Sequence, residues 1–225
     1  MDTQVKAVII NVALGKWYPK GQKRLVDSLQ YHGNHRDVKT WTSFPNSIYD
    51  KSNFYNVKPS AFEEAIKDGY THILWLDSSV WCVQNMERVW DIINTEGYYL
   101  WKNGFNCAQE CSDACLEYFK LSRDEAEKMP CVSTSMFGVN IENPKGREFI
   151  SRWLQSAKDG VFNGSREHAG QSSDPRFQHH RQDQSPASII ANQMGLYIHD
   201  PNDISAVHAD GQEFPKSVIF FMRGM

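Results

Sequence analysis

The sequence predicts an α/β fold with a mostly parallel central sheet flanked by helices, and three observations carry that expectation. Ile73-Leu74-Trp75-Leu76 are four apolar residues in succession, bounded by Gly69 and by Asp77-Ser78-Ser79. Such a run marks a strand buried on both faces. Ahead of it, Asn56 to Gly69 reads as a helix, because Pro59 suits a first turn and Gly69 an ending. The chain also opens on a strand, loop and helix unit: Lys6 to Val12 is rich in Val and Ile, and Leu25, Val26 and Leu29 have helical spacing.

The remaining elements follow in order. Between Val12 and Gln22, Gly15, Pro19 and Gly21 mark a loop, and the first helix runs from Gln22 to His32. Asp37 to Thr42 is a second strand, and Phe44 to Val57 a long loop. After Asp77, Trp81 to Val83 forms a short strand, Met86 to Asn94 a helix on Val89, Trp90 and Ile93, and Tyr98 to Trp101 a strand. A helix over Gln109 to Phe119 and a helical turn over Arg123 to Glu127 precede a strand over Cys131 to Asn140. Asn143-Pro144 opens a helix with a core stripe of Phe149, Ile150, Trp153 and Leu154. Gly160 to Gln178 is poor in aliphatic residues and reads as a lid-like loop, followed by a helix bearing Ala187, Ile189, Ile190 and Met194.

At 225 residues, with 40% hydrophobic and 12% aromatic residues, the chain has the material for one domain over 1–225 with a substantial core. That composition argues against disorder over most of its length. A net charge of −3 gives no general attraction to polyanions, so non-specific nucleic-acid binding is not expected. No run of eighteen apolar residues and no leader-like start are present, and five cysteines suit a reducing compartment. The expected location is therefore cytoplasmic, without membrane contact. Cys107, Cys111 and Cys115 recur every fourth residue; helix packing explains them better than a metal cluster, which uses closer pairs or adds His.

Candidate chemistry concentrates in a few places. Asp77 stands at the carboxyl end of the buried strand, where open α/β sheets bind ligands, and either holds a metal ion or a ligand hydroxyl or caps the next turn. Lys58 precedes Pro59, so its backbone is expected to be extended and its amine to project beside the strand end. Asp183 opens the late helix, where the dipole keeps a carboxylate ionised for sugar hydroxyls or an acceptor proton; its bland alternative is a helix cap.

The order of Lys58-Pro59, helix, Gly69, hydrophobic strand and Leu76-Asp77-Ser78 resembles the nucleotide-sugar glycosyltransferases of the GT-A fold, a Rossmann-like architecture whose central strand ends in Asp-x-Asp. Here Ser79 stands in the second acidic position. The resemblance implies that Ala13, Tyr18 and Arg24 contact the nucleotide, that Lys58 approaches it, and that Ser133, Thr134 and Ser135 line the sugar and acceptor pocket. His179-His180-Arg181-Gln182-Asp183-Gln184 is similar to the family's Asp-Gln helix opening, which implies that Asp183 faces the active site with Gln184 beside it on the substrate; His179, His180 and Arg181 either bind the donor phosphates or are solvated. His208-Ala209-Asp210-Gly211 resembles the start of the His-x-x-Gly-x-x-Lys signature of glycogenin-like enzymes. That implies a metal on His208 and Asp77 and a diphosphate on the Gly211 backbone; the basic residue comes two places late, at Lys216. The expected cofactor is Mn²⁺ or Mg²⁺, weakly bound or absent for want of the second acid. The expected activity is that of a hexosyltransferase, moving a sugar, uridine-diphosphate-linked, to a hydroxyl acceptor, with a hydroxylated nucleobase among the open acceptors; a nucleotide-sugar hydrolase, a nucleotidyltransferase and a non-catalytic binding module are the alternatives.

Overall fold

A computed structural model of the chain describes residues 6–46, 48–163, 172–207, 213 and 215–223. Its main sheet contains β1 (Ala7–Val12), β2 (Asp37–Trp41), β3 (His72–Leu76), β5 (Tyr98–Asn106) and β6 (Pro130–Asn140), in the order β2-β1-β3-β6-β5. β1 pairs in parallel with β2 and β3, whereas β6 runs antiparallel to both of its neighbours, so four of the five strands share one direction. A smaller sheet is built from β4 (Val80–Cys82), β7 (Ser205–Val207) and β8 (Phe220–Met222). Among the described residues no helix is long and apolar enough to cross a membrane.

The unbroken apolar pattern of β1 and β3 follows from helices on both faces of the sheet. Val8, Ile10, Ile73 and Trp75 pack on α2 (Val57–Lys67), α7 (Pro144–Lys158) and α8 (Gln184–Gln193), through Phe62, Phe149, Trp153 and Ile190. Ile9, Leu74 and Leu76 point the other way, onto Leu25 and Leu29 of α1 (Tyr18–Tyr31) and Val89, Trp90 and Ile93 of α3 (Glu87–Glu96). Alternation with period two thus divides one strand between two cores. The direction of β6 matters most for function. Running against β3, it brings Ser133, Thr134 and Ser135 to the strand end where Asp77 leaves the sheet, and the Asp77 N–H donates to the Ser135 carbonyl at 2.8 Å.

Several boundaries differ from expectation. α1 begins at Tyr18, not Gln22, since Pro19 is accommodated in a first turn that needs no internal N–H. The helix expected over Gln109 to Phe119 is two helices, α4 (Cys107–Glu110) and α5 (Asp113–Tyr118), with Cys111 extended between them. The break has three causes: an Asn106 capping box on α4, a Ser112 cap on α5, and the guanidinium of Arg123, from α6 (Arg123–Glu127), which donates to the carbonyls of Ala108 and Cys111. Cys107, Cys111, Cys115 and Cys131 are buried together in a satellite core with Leu116 and Ile189. Of the expected lid over Gly160 to Gln178, residues 164–171 lie outside the described residues. Ser172 to Gln178 is tied to α6 by Arg176, which pairs with Asp124 and Glu127.

Candidate active site

Three charged side chains from distant parts of the chain meet at the carboxyl ends of the parallel strands. Asp77 follows β3, Lys58 lies in the first turn of α2, and Asp183 immediately precedes α8. Lys58 is helical, contrary to the extended backbone expected before a proline; Pro59 sits within the first helical turn, where its missing N–H costs nothing. That placement aims the amine inward. The Lys58 Nζ lies 2.8 Å from Asp183 Oδ2 and 3.4 Å from Asp77 Oδ1, and it donates to the Thr134 carbonyl at 2.9 Å.

The surroundings lock this arrangement. Thr134 Oγ1 donates to Asp183 Oδ2 at 2.7 Å, and the Trp75 indole N–H donates to Asp77 Oδ1 at 2.7 Å. Asp183 makes no capping hydrogen bond to α8; its backbone carbonyl instead accepts from the Trp153 indole at 2.9 Å. Gln182, just before it, has φ of 44°, a left-handed conformation that costs a non-glycine residue about 1–3 kcal/mol and is found where surrounding structure over-determines the chain. Burial alone would favour the neutral amine of Lys58, but Asp183 and Asp77 more than offset it and hold the ammonium above its ordinary pKa. Burial also pushes Asp77 up, opposed by Lys58 and the Trp75 N–H.

Two connected compartments open on this centre. One, of about 350 Å³, is lined mostly by polar residues, among them Ser133, Thr134, Ser135, Arg181, Asp183 and Gln184, with Val207 and Met222 on one side. The other, of about 510 Å³, is lined by Leu14, Gly15, Tyr18, Phe54 and Trp75. Lys58, Asp77, Ser79 and Tyr55 face both. Tyr18 and Phe54 are 54% and 70% exposed, so two aromatic rings stand at the rim of the apolar compartment with free faces. In the polar one, Ser133 and Ser135 share a hydrogen bond at 2.7 Å. The Arg181 guanidinium, by contrast, has no carboxylate partner among the described residues.

Other residues singled out from the sequence are set apart from the cavity. His180 is buried, with Nδ1 accepting from the Ser112 N–H at 3.3 Å and Nε2 facing the Val161 carbonyl at 2.9 Å. It is a structural bridge with no nitrogen left for a phosphate. Ala13 is fully buried beside the apolar compartment and donates its N–H to the Trp41 carbonyl. Arg24 holds the Asp77-Ser78-Ser79 turn from behind, donating to the Ser79 carbonyl at 2.9 Å while its guanidinium stacks on Trp81. Lys216 is exposed and lines neither compartment, and His208 and Gly211 lie outside the described residues.

Two supporting residues carried no signal in the sequence. Asn11 donates to the Leu76 carbonyl at 2.6 Å and accepts from Gln22, fixing the end of β3. Glu110 is fully buried and accepts from Gln184 and Asn103, which orients Gln184 into the polar compartment. Both look like ordinary polar residues until the fold brings their partners to them.

The fold is of GT-A type, a mixed α/β architecture with a central sheet flanked by helices. Among solved structures it is similar to a glycosyltransferase involved in glycosylation of the major capsid of PBCV-1 (TM-score 0.58, 13% identity, 96% of this chain and 91% of that one). Mouse xyloside xylosyltransferase 1 in its apo form is similar at TM-score 0.57 and 10% identity, over 96% and 97% of the two chains. The bifunctional glycosyltransferase WbbM follows at TM-score 0.54 and 10% identity, with 99% of this chain covering 46% of that one. No protein-family model matches the sequence, and no curated protein matches it.

The divalent cation implied by the sequence resemblance does not fit the described residues. Among them, no group of three or more His, Cys, Asp or Glu side chains is arranged to hold a metal ion. Asp77 Oδ1 already faces an ammonium and an indole N–H, Asp183 Oδ2 faces the same ammonium and a hydroxyl, and Ser79 supplies no second carboxylate.

Proposed function

We propose that the protein transfers a sugar from a nucleotide-sugar, with uridine as the expected base, to a hydroxyl acceptor. The observation that carries this reading is the meeting of Asp77 and Asp183 across Lys58, at the junction of an aromatic-rimmed compartment and a hydroxyl-lined one. The base is assigned to the rings of Tyr18 and Phe54, which supply stacking surface. The ribose is assigned to Asp77 and the transferred sugar to Asp183, Gln184, Ser133 and Ser135, whose hydrogen-bonding groups match a polyol. In the reaction, the bond between the anomeric carbon and the diphosphate oxygen breaks, leaving its electron pair on the phosphate. The acceptor oxygen bonds to that carbon, and the acceptor's proton passes to the released diphosphate. Asp183 stabilises the positive charge that develops on the sugar ring.

Binding and release of sugar are measured together with a panel of uridine-, guanosine- and adenosine-diphosphate sugars. Donor-dependent thermal stabilisation with release of free sugar supports an enzyme acting on a nucleotide-sugar, and suppression of that release by an added hydroxyl acceptor that gains the sugar identifies the transferase over the hydrolase. Binding without release identifies a non-catalytic module, and no binding across the panel removes the reading.

A further inference from the structure

Granting that donor reading, the charge balance at its centre has a consequence for the leaving group. When the sugar departs, negative charge builds on the diphosphate, and a cation must meet it. A divalent ion on Asp77 would lie about 2 Å from a carboxylate oxygen. The Lys58 ammonium is already 3.4 Å from that carboxylate and 2.8 Å from the other, so the added ion would face a fixed positive charge across one group. The two carboxylates and one ammonium sum to a single negative charge, half of what an Asp-x-Asp pair offers. Lys58 is 9% exposed and held by Asp183, Asp77 and Thr134, so it cannot swing away without leaving two carboxylates unpaired. In the same cavity Arg181 presents a guanidinium without a carboxylate partner among the described residues. Its backbone is pinned, the N–H donating to Ser185 Oγ at 2.9 Å and lying 3.3 Å from the Glu110 carbonyl. A planar fork of N–H donors matches phosphate oxygens bidentately.

We infer that this protein binds its donor diphosphate without a metal ion, with Arg181 as the leaving-group cation and Lys58 as the fixed charge that stands between the two carboxylates. Arg181 touches the phosphate and is a catalytic residue in this assignment; Lys58 positions Asp77 and Asp183 and supplies the second positive charge.

The test is calorimetric titration of the full chain with uridine, guanosine, adenosine and cytidine diphosphates, in chelator and in Mn²⁺, alongside the nucleoside of whichever diphosphate binds, uridine being expected. Expected affinities for the diphosphate agree within about two-fold in the two buffers. Arg181→Gln is expected to weaken the diphosphate by roughly ten-fold or more and to leave uridine unchanged, the pattern of one lost charge-assisted contact. Arg181 is partly exposed, so this variant is expected to fold; its unfolding midpoint is measured beside the wild type. Affinity that collapses in chelator and returns with Mn²⁺ overturns metal independence while leaving the donor reading intact. An unchanged diphosphate affinity in Arg181→Gln overturns the role of Arg181. Absence of binding by the uridine, guanosine, adenosine and cytidine diphosphates in both buffers overturns the donor reading and this inference with it.

Discussion

At the scale of single residues, Asp77 and Asp183 have separable roles. Asp77→Asn keeps the side-chain shape and its Trp75 contact, so the fold is expected to remain while donor turnover falls by most of its value; circular dichroism and sugar release together check this. Asp183→Asn removes the closest negative partner of a buried ammonium, so some stability is lost, on the order of a few kcal/mol. Its diagnostic is kinetic. Transfer should fall by roughly 10²-fold while uridine diphosphate affinity stays within a few-fold, because the carboxylate is assigned to the sugar. Equal losses of both would make Asp183 a structural residue only. His180 supplies a pH dependence with a definite sign. Burial lowers its pKa below the ordinary 6.5, so the unfolded chain binds a proton that the folded chain refuses. Its neutral form is stable above about pH 6.5, and stability falls as pH drops from there toward the folded pKa. His72, also lowered by burial, acts in the same direction. Denaturant midpoints across that range should flatten in a His180→Gln variant; an unaltered slope would assign the dependence elsewhere.

Among the elements, α7 contains an informative departure from helix propensity. Gly146 lies in its first turns, and a Cβ there would come 2.1 Å from the Gly97 carbonyl oxygen and 2.3 Å from that of Asn140. Replacing a helical glycine with alanine normally stabilises by about 1 kcal/mol. Here the atoms in the way are backbone, which cannot step aside as a flexible side chain can, so Gly146→Ala should destabilise by about 1–3 kcal/mol or more. Chemical denaturation reads the sign directly, and a stabilised variant would mean that α7 is not seated against β6 and the turn after α3. The split of the expected helix at Cys111 belongs to the same scale. Two caps and a buried guanidinium decide the break, and the guanidinium is that of Arg123, arriving from twelve residues downstream.

For the molecule as a whole, the cavity is the product of topology: β3 ends at Asp77, antiparallel β6 delivers Ser133 to Ser135 beside it, and α8 returns Asp183 from more than a hundred residues away. A ligand bound there couples to global unfolding. At about 100 times its dissociation constant a donor nucleotide adds about 2.7 kcal/mol, which for a chain of this size raises the unfolding midpoint by roughly 5–10 °C. Thermal shift with uridine diphosphate checks this, and the shift should shrink in Asp77→Asn; a flat response would remove the junction at Lys58 as the nucleotide site.

Local pattern alone determined the central strand, its acidic end, the helix that precedes it and the Asp-Gln opening of α8, because burial on two faces and terminal Gly and Pro leave marks within a dozen residues. Asp77, Lys58 and Asp183 were legible as separate candidates from their places at element ends, and Thr134 only through the family resemblance. Their mutual distances were not, since an ion pair between positions 58 and 183 leaves no local trace, and a lysine before a proline looks like a loop residue until the helix closes around it. The tertiary structure alone decided that His180 serves the core, that Arg24 braces a turn from behind, and that Asn11 and Glu110 orient the site. A buried polar group is placed by whichever donors the fold delivers to it, and those donors lie far away in the chain.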